Sequence, residues 1–308
     1  MRAVFFGTPA IAVPALRALT EVADVRAVVC QPDRPAGRGL KLQPPPVKAA
    51  AQELGLLVHQ PKAVKTGELT RWLKELELDV ALVMAYGRIL PLDVLEAPRH
   101  GSLNLHASLL PKYRGAAPVQ WAIAQGEHET GISLMQMDAG MDTGPVFCTR
   151  SLAIGPEETA GQLAERLALL AAEVTRHDLG RALSGELVAT PQDEAAATYA
   201  PPIDRATAEV RWTRRAFEIA NLVRAMAPRP GAHTRAGNKE LKLWRVTCAP
   251  GFEFPPGHVE IVESTRALVG CGDGAIEIHR AQLAGKREAS ARDLINGRIL
   301  KSGDTLGS

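Results

Sequence analysis

In the first half of the chain, short runs of apolar residues alternate with segments in which apolar residues recur every three or four positions. The apolar runs predict strands over residues 2–6, 25–29, 56–58 and 80–84. The segments between them predict amphipathic helices over residues 11–19, 47–54 and 69–76. Because strands and helices alternate, we expect an α/β domain on a doubly wound, mostly parallel sheet of the Rossmann-like kind.

The pattern changes in the second half. One long amphipathic helix is predicted over residues 159–183, with Leu163, Leu167, Leu170 and Val174 at helical spacing. Residues 189–204 contain three prolines and little periodicity, which predicts a linker. Beyond it, short strand-like runs at 241–246, 258–262, 267–271 and 275–280 predict a small OB-like β-barrel. We therefore expect one domain at 1–188 and a second at 205–308.

Composition limits the class of protein. A chain of 308 residues with 46% apolar content can bury two cores. The four cysteines are far apart and form no Cys-x-x-Cys pair, so we expect reduced thiols and no structural zinc. No apolar run approaches the ~20 residues that span a bilayer, and the first one, at residues 3–6, is too short for a signal peptide. These features predict a cytoplasmic protein without a membrane segment.

Charge separates the two predicted domains. Residues 204–308 contain 17 Lys and Arg against 12 Asp and Glu, a net charge of +5, while residues 1–203 carry about −3. A basic barrel suits a partner with phosphates, such as a nucleic acid. An ordinary solvated surface is the other interpretation that charge alone allows.

A second basic segment, residues 31–48, follows the second predicted strand. It carries Arg34, Arg38, Lys41 and Lys48 against one acidic residue, Asp33, and it is rich in Pro and Gly. Such a segment is too polar and interrupted for a core, and surface loops on rigid scaffolds often bind ligands. It predicts either an arm that grips an RNA end or a solvated loop.

The main group of candidate catalytic residues begins at Asn104. Asn104 and His106 are two apart in a predicted strand at 102–106, so their side chains leave the same face. Pro111 and Gly115 interrupt the chain soon afterwards, which predicts that both side chains reach a sheet edge, where α/β sheets carry their sites. Asp142 follows in a glycine-flanked turn at 140–144.

These residue types suit acyl transfer to an amine. An Asn amide and a protonated His can hold the oxyanion of a tetrahedral intermediate, and a carboxylate such as Asp142 can pair with the His and help a proton move through water. Asp138, just before that turn, is assigned a structural role. The turn after the first strand lacks the Gly-x-Gly-x-x-Gly spacing, so we predict no NAD site.

Longer strings around these residues resemble the folate-dependent formyltransferases, and within them the tRNA-directed branch. The resemblance runs nearly end to end. It is carried by Phe6-Gly7-Thr8-Pro9, residues 31–39, Asn104-Leu105-His106, residues 108–118, Met141-Asp142-Thr143-Gly144, Thr198-Tyr199-Ala200-Pro201, Gly272-Asp273-Gly274 and Ala284-Gly285-Lys286-Arg287.

The resemblance implies an enzyme that transfers the formyl group of 10-formyltetrahydrofolate to the α-amino group of methionyl initiator tRNA, for translation initiation. It implies a monomer that needs no metal ion. The implied catalytic residues are Asn104, His106 and Asp142. The implied folate-binding residues are Ser108, Leu109, Leu110 and Pro111. The residues implied to meet the tRNA acceptor stem are Arg34, Arg38 and Lys41, with Arg38 probing the stem.

Two positions depart from the pattern of the family. Pro202 stands where the family usually has Lys at or beside this site, and Arg229 stands where an aromatic residue is common. Both changes affect expected tRNA contacts, and neither affects the catalytic residues.

Three other functions remain open at this point. A formyltransferase for a sugar nucleotide or for glycinamide ribonucleotide would not require the basic segment or the barrel. A tRNA-binding protein that has lost catalysis would not need Asn104, His106 and Asp142 together. A hydrolase that releases formate would differ in making no formylated product.

Overall fold

The computed structural model of the protein describes residues 1–36 and 41–307. The chain forms two compact units. The N-terminal unit consists of Met1–Pro118, Glu129–Ala153 and Ala164–Pro201, and the C-terminal unit consists of Val119–His128, Ile154–Leu163 and Pro202–Ser308.

The strands of the first 201 residues are β1 (Arg2–Gly7), β2 (Asp24–Val29), β3 (Arg34–Ala36), β4 (Lys41–Gln43), β5 (Val58–His59), β6 (Val80–Met84), β7 (Ser102–His106), β8 (Arg114–Gly115), β9 (Glu129–Gln136), β10 (Val146–Ala153) and β11 (Tyr199–Ala200). A seven-stranded sheet in the order β10-β9-β7-β6-β1-β2-β5 forms the centre of the N-terminal unit. The five strands from β7 to β5 run parallel, whereas β9 and β10 are antiparallel. The predicted doubly wound, mostly parallel sheet is confirmed.

Both faces of this sheet are buried, which explains its continuous apolar runs. Val4 and Val83 on one face pack in a cluster with Leu73 of α3, and Phe5 and Leu82 on the other face are also fully buried. The helices of the first 201 residues are α1 (Val13–Val22), α2 (Pro46–Glu53), α3 (Glu68–Glu75), α4 (Leu92–Leu95), α5 (Pro118–Ala124), α6 (Ala160–His177) and α7 (Leu179–Leu183). The three helices predicted in the first half are confirmed as α1, α2 and α3, with shifted ends.

The single helix predicted over residues 159–183 is wrong in one respect, because it is divided at Asp178. The Asp178 carboxylate is buried and accepts hydrogen bonds from Arg150 of β10 at 2.8 and 3.1 Å and from Arg181 at 3.2 Å. A pairing with a strand 28 residues earlier therefore sets this residue outside both helices. The predicted apolar stripe is confirmed at Leu163, Leu167 and Val174, which are fully buried.

The segment predicted as a linker, residues 189–204, carries ordered structure up to Pro201. Tyr199–Ala200 pairs in parallel with Arg114–Gly115, which forms the small sheet of β11 and β8. A 3-10 turn at Glu194–Ala196 precedes it. This segment therefore lies against the loop that follows β7.

The C-terminal unit is built on an antiparallel sheet in the order β12-β13-β16-β15-β14, with β17 beside β16. Residues of the C-terminal segment bridge both edges of this sheet: Leu306 pairs with Ala236 of β12, and Thr305 pairs with His258, next to β14. These bridges close the sheet and confirm the predicted small barrel. Its elements are α8 (Ala216–Met226), β12 (Ala232–Ala236), β13 (Lys239–Ala249), β14 (Val259–Val262), β15 (Arg266–Gly270), β16 (Ala275–Leu283), β17 (Ala289–Ser290) and α9 (Ala291–Asn296).

Across residues 1–36 and 41–307, none of the helices combines the length and apolar content needed to cross a membrane. In the same part of the chain, no three His, Cys, Asp or Glu side chains are grouped as ligands of a metal ion.

Candidate active site

Asn104 and His106 lie on β7, near the carboxyl end of the parallel part of the sheet. They are two positions apart, so their side chains share one face of the strand. Both are buried. The parallel strand β6 pairs with one edge of β7. The antiparallel strand β9 pairs with the other edge, with Met135 opposite Asn104 and Ser133 opposite His106. The strand and its neighbours therefore fix the backbone from which both side chains extend.

Asp142, in the loop between β9 and β10, brings a carboxylate to the same place. Its Oδ1 accepts a hydrogen bond from Nδ2 of Asn104 at 3.3 Å, and its Oδ2 accepts one from the backbone N–H of Gly115 at 2.9 Å. The same Oδ2 lies 3.5 Å from Nδ1 of His106. The three residues predicted to share one reaction centre are therefore brought together by the fold.

The backbone of Asp142 is in the left-handed region, with φ of 54°. Most residues with a side chain avoid that conformation, Asp less than most, and surrounding contacts help to hold it. Gly144, two residues later, approaches the backbone so closely that a Cβ there would lie 2.0 Å from the carbonyl oxygen of Gln136. The loop that presents the carboxylate is thus confined on both counts.

The His106 ring is oriented by a single backbone group. Its Nε2 lies 2.9 Å from the carbonyl oxygen of Tyr113. Because a carbonyl oxygen only accepts, Nε2 carries its hydrogen in this arrangement. Nδ1 faces Asp142 and can donate a hydrogen bond only when the ring is protonated. Nδ1 is therefore the ring atom that remains for a reacting group.

The predicted folate-binding residues form the loop after β7. Ser108 is fully buried, and its hydroxyl donates to the carbonyl oxygen of Lys112 at 2.6 Å. The hydroxyl of Ser133 donates to the carbonyl oxygen of Ser108 at 2.7 Å and accepts from the N–H of Leu110 at 3.1 Å. Leu109 and Pro111 are half-buried. Ser108 and Leu110 therefore shape this loop, while Leu109 and Pro111 keep accessible surface.

Two residues that support the site did not emerge from the sequence as functional. Arg114 is fully buried, and its Nε and Nη2 donate to Oε1 of Gln192 at 3.0 and 2.9 Å. Nε2 of Gln192 donates to the carbonyl oxygens of Asp142 and Gly144 at 2.8 and 2.7 Å. The burial of Arg114 is visible only in the structure, where a buried Arg is costly unless it is paired. Gln192 lies in the segment predicted as a linker and carried no signal of its own.

The other side of Arg114 binds an acidic residue at the surface. Nη1 and Nη2 donate to the Glu194 carboxylate at 2.9 and 2.8 Å. These hydrogen bonds hold the pKa of Glu194 below its usual value. Glu194 therefore stays ionised at neutral pH and keeps the buried guanidinium paired.

The structural role predicted for Asp138 is confirmed. Its Oδ1 accepts hydrogen bonds from the N–H of Gly140 at 3.0 Å and from the hydroxyl of Thr143 at 2.8 Å. Asp138 thereby closes the turn from which Asp142 projects.

The basic segment contains a short hairpin of β3 and β4. Arg34 pairs with Gln43 and Ala36 with Lys41, so Arg34 and Lys41 lie on the same face of the hairpin. Both are exposed. Arg38, the third residue predicted to meet tRNA, lies outside the described residues.

Lys48, at the end of this segment, has protein partners. Its Nζ donates to both carboxylate oxygens of Asp33 at 2.8 Å and to Oε1 of Gln60 at 2.9 Å. The Lys48 hydrogen bond is the largest cause of the lowered pKa of Asp33. Lys48 therefore fastens the base of the segment. The two departures from the family pattern, Pro202 and Arg229, are both exposed.

Comparison with known proteins identifies the family of this chain. A model described as "Formyl transferase" matches residues 1–177, more than half of the chain, and one described as "Formyl transferase, C-terminal domain" matches residues 202–298. This chain belongs to the formyl transferase family. The resemblance inferred from its motifs is confirmed.

Relatives within the formyl transferase family match this chain from end to end. The methionyl-tRNA formyltransferase of Sorangium cellulosum is 54% identical over 310 residues and covers 100% of both chains. That of Geobacter metallireducens is 47% identical over 305 residues, covering 99% of this chain and 98% of its own.

A solved formyltransferase shares the fold at low sequence identity. The structure of the N-formyltransferase from Helicobacter canadensis, in complex with folinic acid and dTDP-3-aminofucose, has a TM-score of 0.67 and 19% identity. The match covers 90% of this chain and 98% of that one. Because that protein was solved with an amino-sugar nucleotide, the fold of this formyl transferase does not by itself select its acceptor.

Proposed function

We propose that this protein transfers the formyl group of 10-formyltetrahydrofolate to the α-amino group of methionyl initiator tRNA, and so serves translation initiation. The observation that carries this proposal is the 54% identity to a methionyl-tRNA formyltransferase, in a match that covers 100% of both chains. Both family models support formyl transfer as the reaction. They do not select the acceptor, since the match to the formyltransferase solved with an amino-sugar nucleotide covers 90% of this chain.

The proposed reaction begins with attack of the methionine amine on the formyl carbon. A carbon–nitrogen bond forms, and the formyl oxygen becomes an oxyanion that needs hydrogen-bond donors. Asn104 has a second N–H beyond the one that faces Asp142. Protonated His106 offers Nδ1–H, because Nε2–H is bound to Tyr113. We assign these two N–H groups to the oxyanion.

In this proposal Asp142 takes part in the proton transfers of the reaction. Its carboxylate lies 3.5 Å from Nδ1 of His106, longer than an ordinary hydrogen bond, and pairs with the imidazolium by charge while Nδ1–H donates to the oxyanion. It also accepts the proton that the attacking amine loses, with a water molecule as the carrier. The oxyanion then re-forms the carbonyl as the bond between the formyl carbon and the folate nitrogen breaks, and that nitrogen takes up the proton that Asp142 accepted, again through water. The formylated amine and tetrahydrofolate are the products.

The positions of the two substrates are part of the proposal. We place the folate against the loop of Ser108, Leu109, Leu110 and Pro111, next to Asn104 and His106 along the chain. We place the tRNA acceptor stem against Arg34, Arg38 and Lys41. Exposed basic side chains on one hairpin face suit a phosphate backbone. The +5 charge of residues 204–308 suits the rest of the tRNA.

Three broader expectations complete the proposal. The enzyme works as a monomer in the cytoplasm, where its tRNA substrate is used. Its catalytic domain comprises residues 1–188, its tRNA-binding domain residues 205–308, and residues 189–204 join them.

A panel of acceptors tests the proposed function. The purified protein and 10-formyltetrahydrofolate would be incubated with methionyl initiator tRNA, free methionine, an amino-sugar nucleotide, glycinamide ribonucleotide or no acceptor. We expect formylmethionyl-tRNA and little product with the others. If a small amine is formylated in preference to the tRNA, that amine and not methionyl initiator tRNA is the acceptor. Formate release without any acceptor would indicate a hydrolase, and tRNA binding without turnover would indicate a protein that has lost catalysis.

A further inference from the structure

The loop that carries Asp142 is held from two directions by one short stretch of chain. The N–H of Gly115 binds the Asp142 carboxylate at 2.9 Å. The neighbouring Arg114 binds Gln192, whose amide donates to the backbone carbonyls of Asp142 and Gly144 at 2.8 and 2.7 Å. One contact therefore places the carboxylate, and the other places the backbone behind it.

Gln192 uses its whole amide in this arrangement. Its oxygen accepts twice from Arg114, and its nitrogen donates twice to the Asp142 loop. An amide has two donor hydrogens and one acceptor oxygen with two lone pairs, so all its hydrogen-bonding capacity is used. The double acceptance fixes which end of the amide is nitrogen, because a guanidinium only donates. Arg114 thus orients the donors toward the Asp142 loop.

The conformation of the loop adds a modest cost. Asp142 has φ of 54°, a left-handed conformation that Asp adopts more readily than most residues with a side chain. The amide of Gln192, oriented by Arg114, donates hydrogen bonds to the carbonyl oxygens of Asp142 and Gly144 and so holds the peptide groups around Asp142. A carboxylate displaced by about 1 Å from the reacting atoms can lower a rate by about 100-fold.

We propose that Gln192, oriented by the buried Arg114, is a positioning residue that sets the place of the Asp142 carboxylate for formyl transfer. The proposal rests on the proposed catalytic role of Asp142. Within the described residues, the Gln192 side chain forms its hydrogen bonds with Arg114 and the Asp142 loop, so its effect on the rate passes through Asp142.

The variant Gln192→Glu isolates the donating half of the amide. A glutamate keeps acceptor oxygens for Arg114 but has no N–H for the two carbonyls, and its second oxygen would repel them. We expect kcat to fall by about 100-fold while KM for folate and for tRNA stays near wild type, because placement and not substrate binding is lost. If Gln192→Glu fails to fold, Gln192→Met, of similar size, removes both the donor and the acceptor of the amide, and the same fall in kcat at unchanged KM is expected.

Glu194→Gln is the matched control. It changes the other partner of the same arginine, on the solvent side, where Glu194 is 68% exposed. We expect kcat within about twofold of wild type, because the introduced amide keeps an oxygen that accepts from Arg114 and the hydrogen bonds of Gln192 are unchanged. A fall in kcat as large as that of Gln192→Glu would mean that loosening Arg114 in general is enough, and it would overturn the specific role of Gln192.

A double-mutant cycle with Asp142→Asn separates positioning from mere structural support. If Gln192 acts through the carboxylate, adding Gln192→Glu to Asp142→Asn lowers kcat by less than about threefold. Effects that multiply would overturn the proposal. If the wild-type protein formylates tRNA and Gln192→Glu has the same kcat, the positioning role is overturned and the proposed function stands. A wild-type protein that formylates no acceptor would overturn both.

Discussion

One backbone carbonyl decides which atom of His106 can act. Since Tyr113 binds Nε2, the ring faces Asp142 through Nδ1. Asn104 is bound to the same carboxylate through one of its two N–H groups. The two donors that we propose for the oxyanion are therefore held in place by protein groups, which is the arrangement that electrostatic catalysis requires.

Removal of either donor should reduce the rate without unfolding the protein. We expect Asn104→Ala to lower kcat by about 10²–10³-fold and His106→Ala by about 10²–10⁴-fold, in steady-state formylation assays. His177→Ala, at an exposed position at the end of α6, is the control and should keep its full rate. A His106→Ala enzyme that is folded and turns over like His177→Ala would remove His106 from the mechanism.

The sequence predicted some of the site residues and not others, for a physical reason. Asn104 and His106 are close in the chain, so strand periodicity alone places them on one face. Asp142 was found from residue type and family resemblance. Gln192 could not be found in this way, because its role depends on the pairing of β8 with β11, which are 85 residues apart in the chain at Arg114 and Tyr199. No local pattern encodes such a contact.

At the scale of elements, the sheet was the most predictable part of the fold. Helices cover both faces, so its strands appear in the sequence as unbroken apolar runs of the right length. The end of α6 was not predictable, because Asp178 stands at a position that a helix tolerates. Its burial follows from Arg150, which belongs to a different element.

Asp178 should matter for stability more than a surface pair of the same geometry. Asp178→Asn removes the charge from a carboxylate whose side chain is 4% exposed and bound to Arg150 and Arg181. We expect a loss of about 2 kcal/mol in the free energy of unfolding, since hydrogen bonds to charged groups contribute that much. Denaturant titration would measure it.

The control for this prediction is Glu21→Gln. Glu21 forms two hydrogen bonds with Arg176, at 2.6 and 2.9 Å, but it is exposed. Water screens such a pair, so little change in unfolding is expected. Equal effects of the two substitutions would show that burial of Asp178 contributes nothing.

The β3–β4 hairpin makes a prediction about tRNA binding. Replacing Arg34 and Lys41 together by Ala should raise KM for tRNA and leave KM for folate unchanged, because both side chains are exposed on one face. If each contacts a phosphate, the dependence of log KM on log salt should become shallower by about 2. Arg71→Ala, exposed on α3, is the control. An unchanged salt dependence in the double variant would contradict the proposed contact.

At the scale of the whole molecule, charge and chemistry lie in different parts of the chain. The residues proposed for catalysis all belong to the N-terminal unit. The excess of basic residues lies beyond residue 203, and a net charge of +2 for the chain conceals that division. A large, phosphate-rich acceptor accounts for a separate basic domain better than a small amine does.

The family likeness carries the conclusion further than the fold can. A formyltransferase solved with an amino-sugar nucleotide shares the architecture at 19% identity, whereas the methionyl-tRNA formyltransferase of Sorangium cellulosum matches over the whole chain at 54%. The fold class could be predicted from apolar periodicity. The acceptor could not be predicted from periodicity. Its prediction depended on motifs spread over both domains.

Formyl transfer to initiator tRNA is tested most directly by kcat/KM for methionyl initiator tRNA, measured beside methionyl elongator tRNA with saturating 10-formyltetrahydrofolate. The ratio of these values is the selectivity of the enzyme. We predict rapid formylation of the initiator tRNA and much slower formylation of the elongator tRNA. Equal values for the two tRNAs, or no formylation of either by folded protein that still binds folate, would contradict the proposed function.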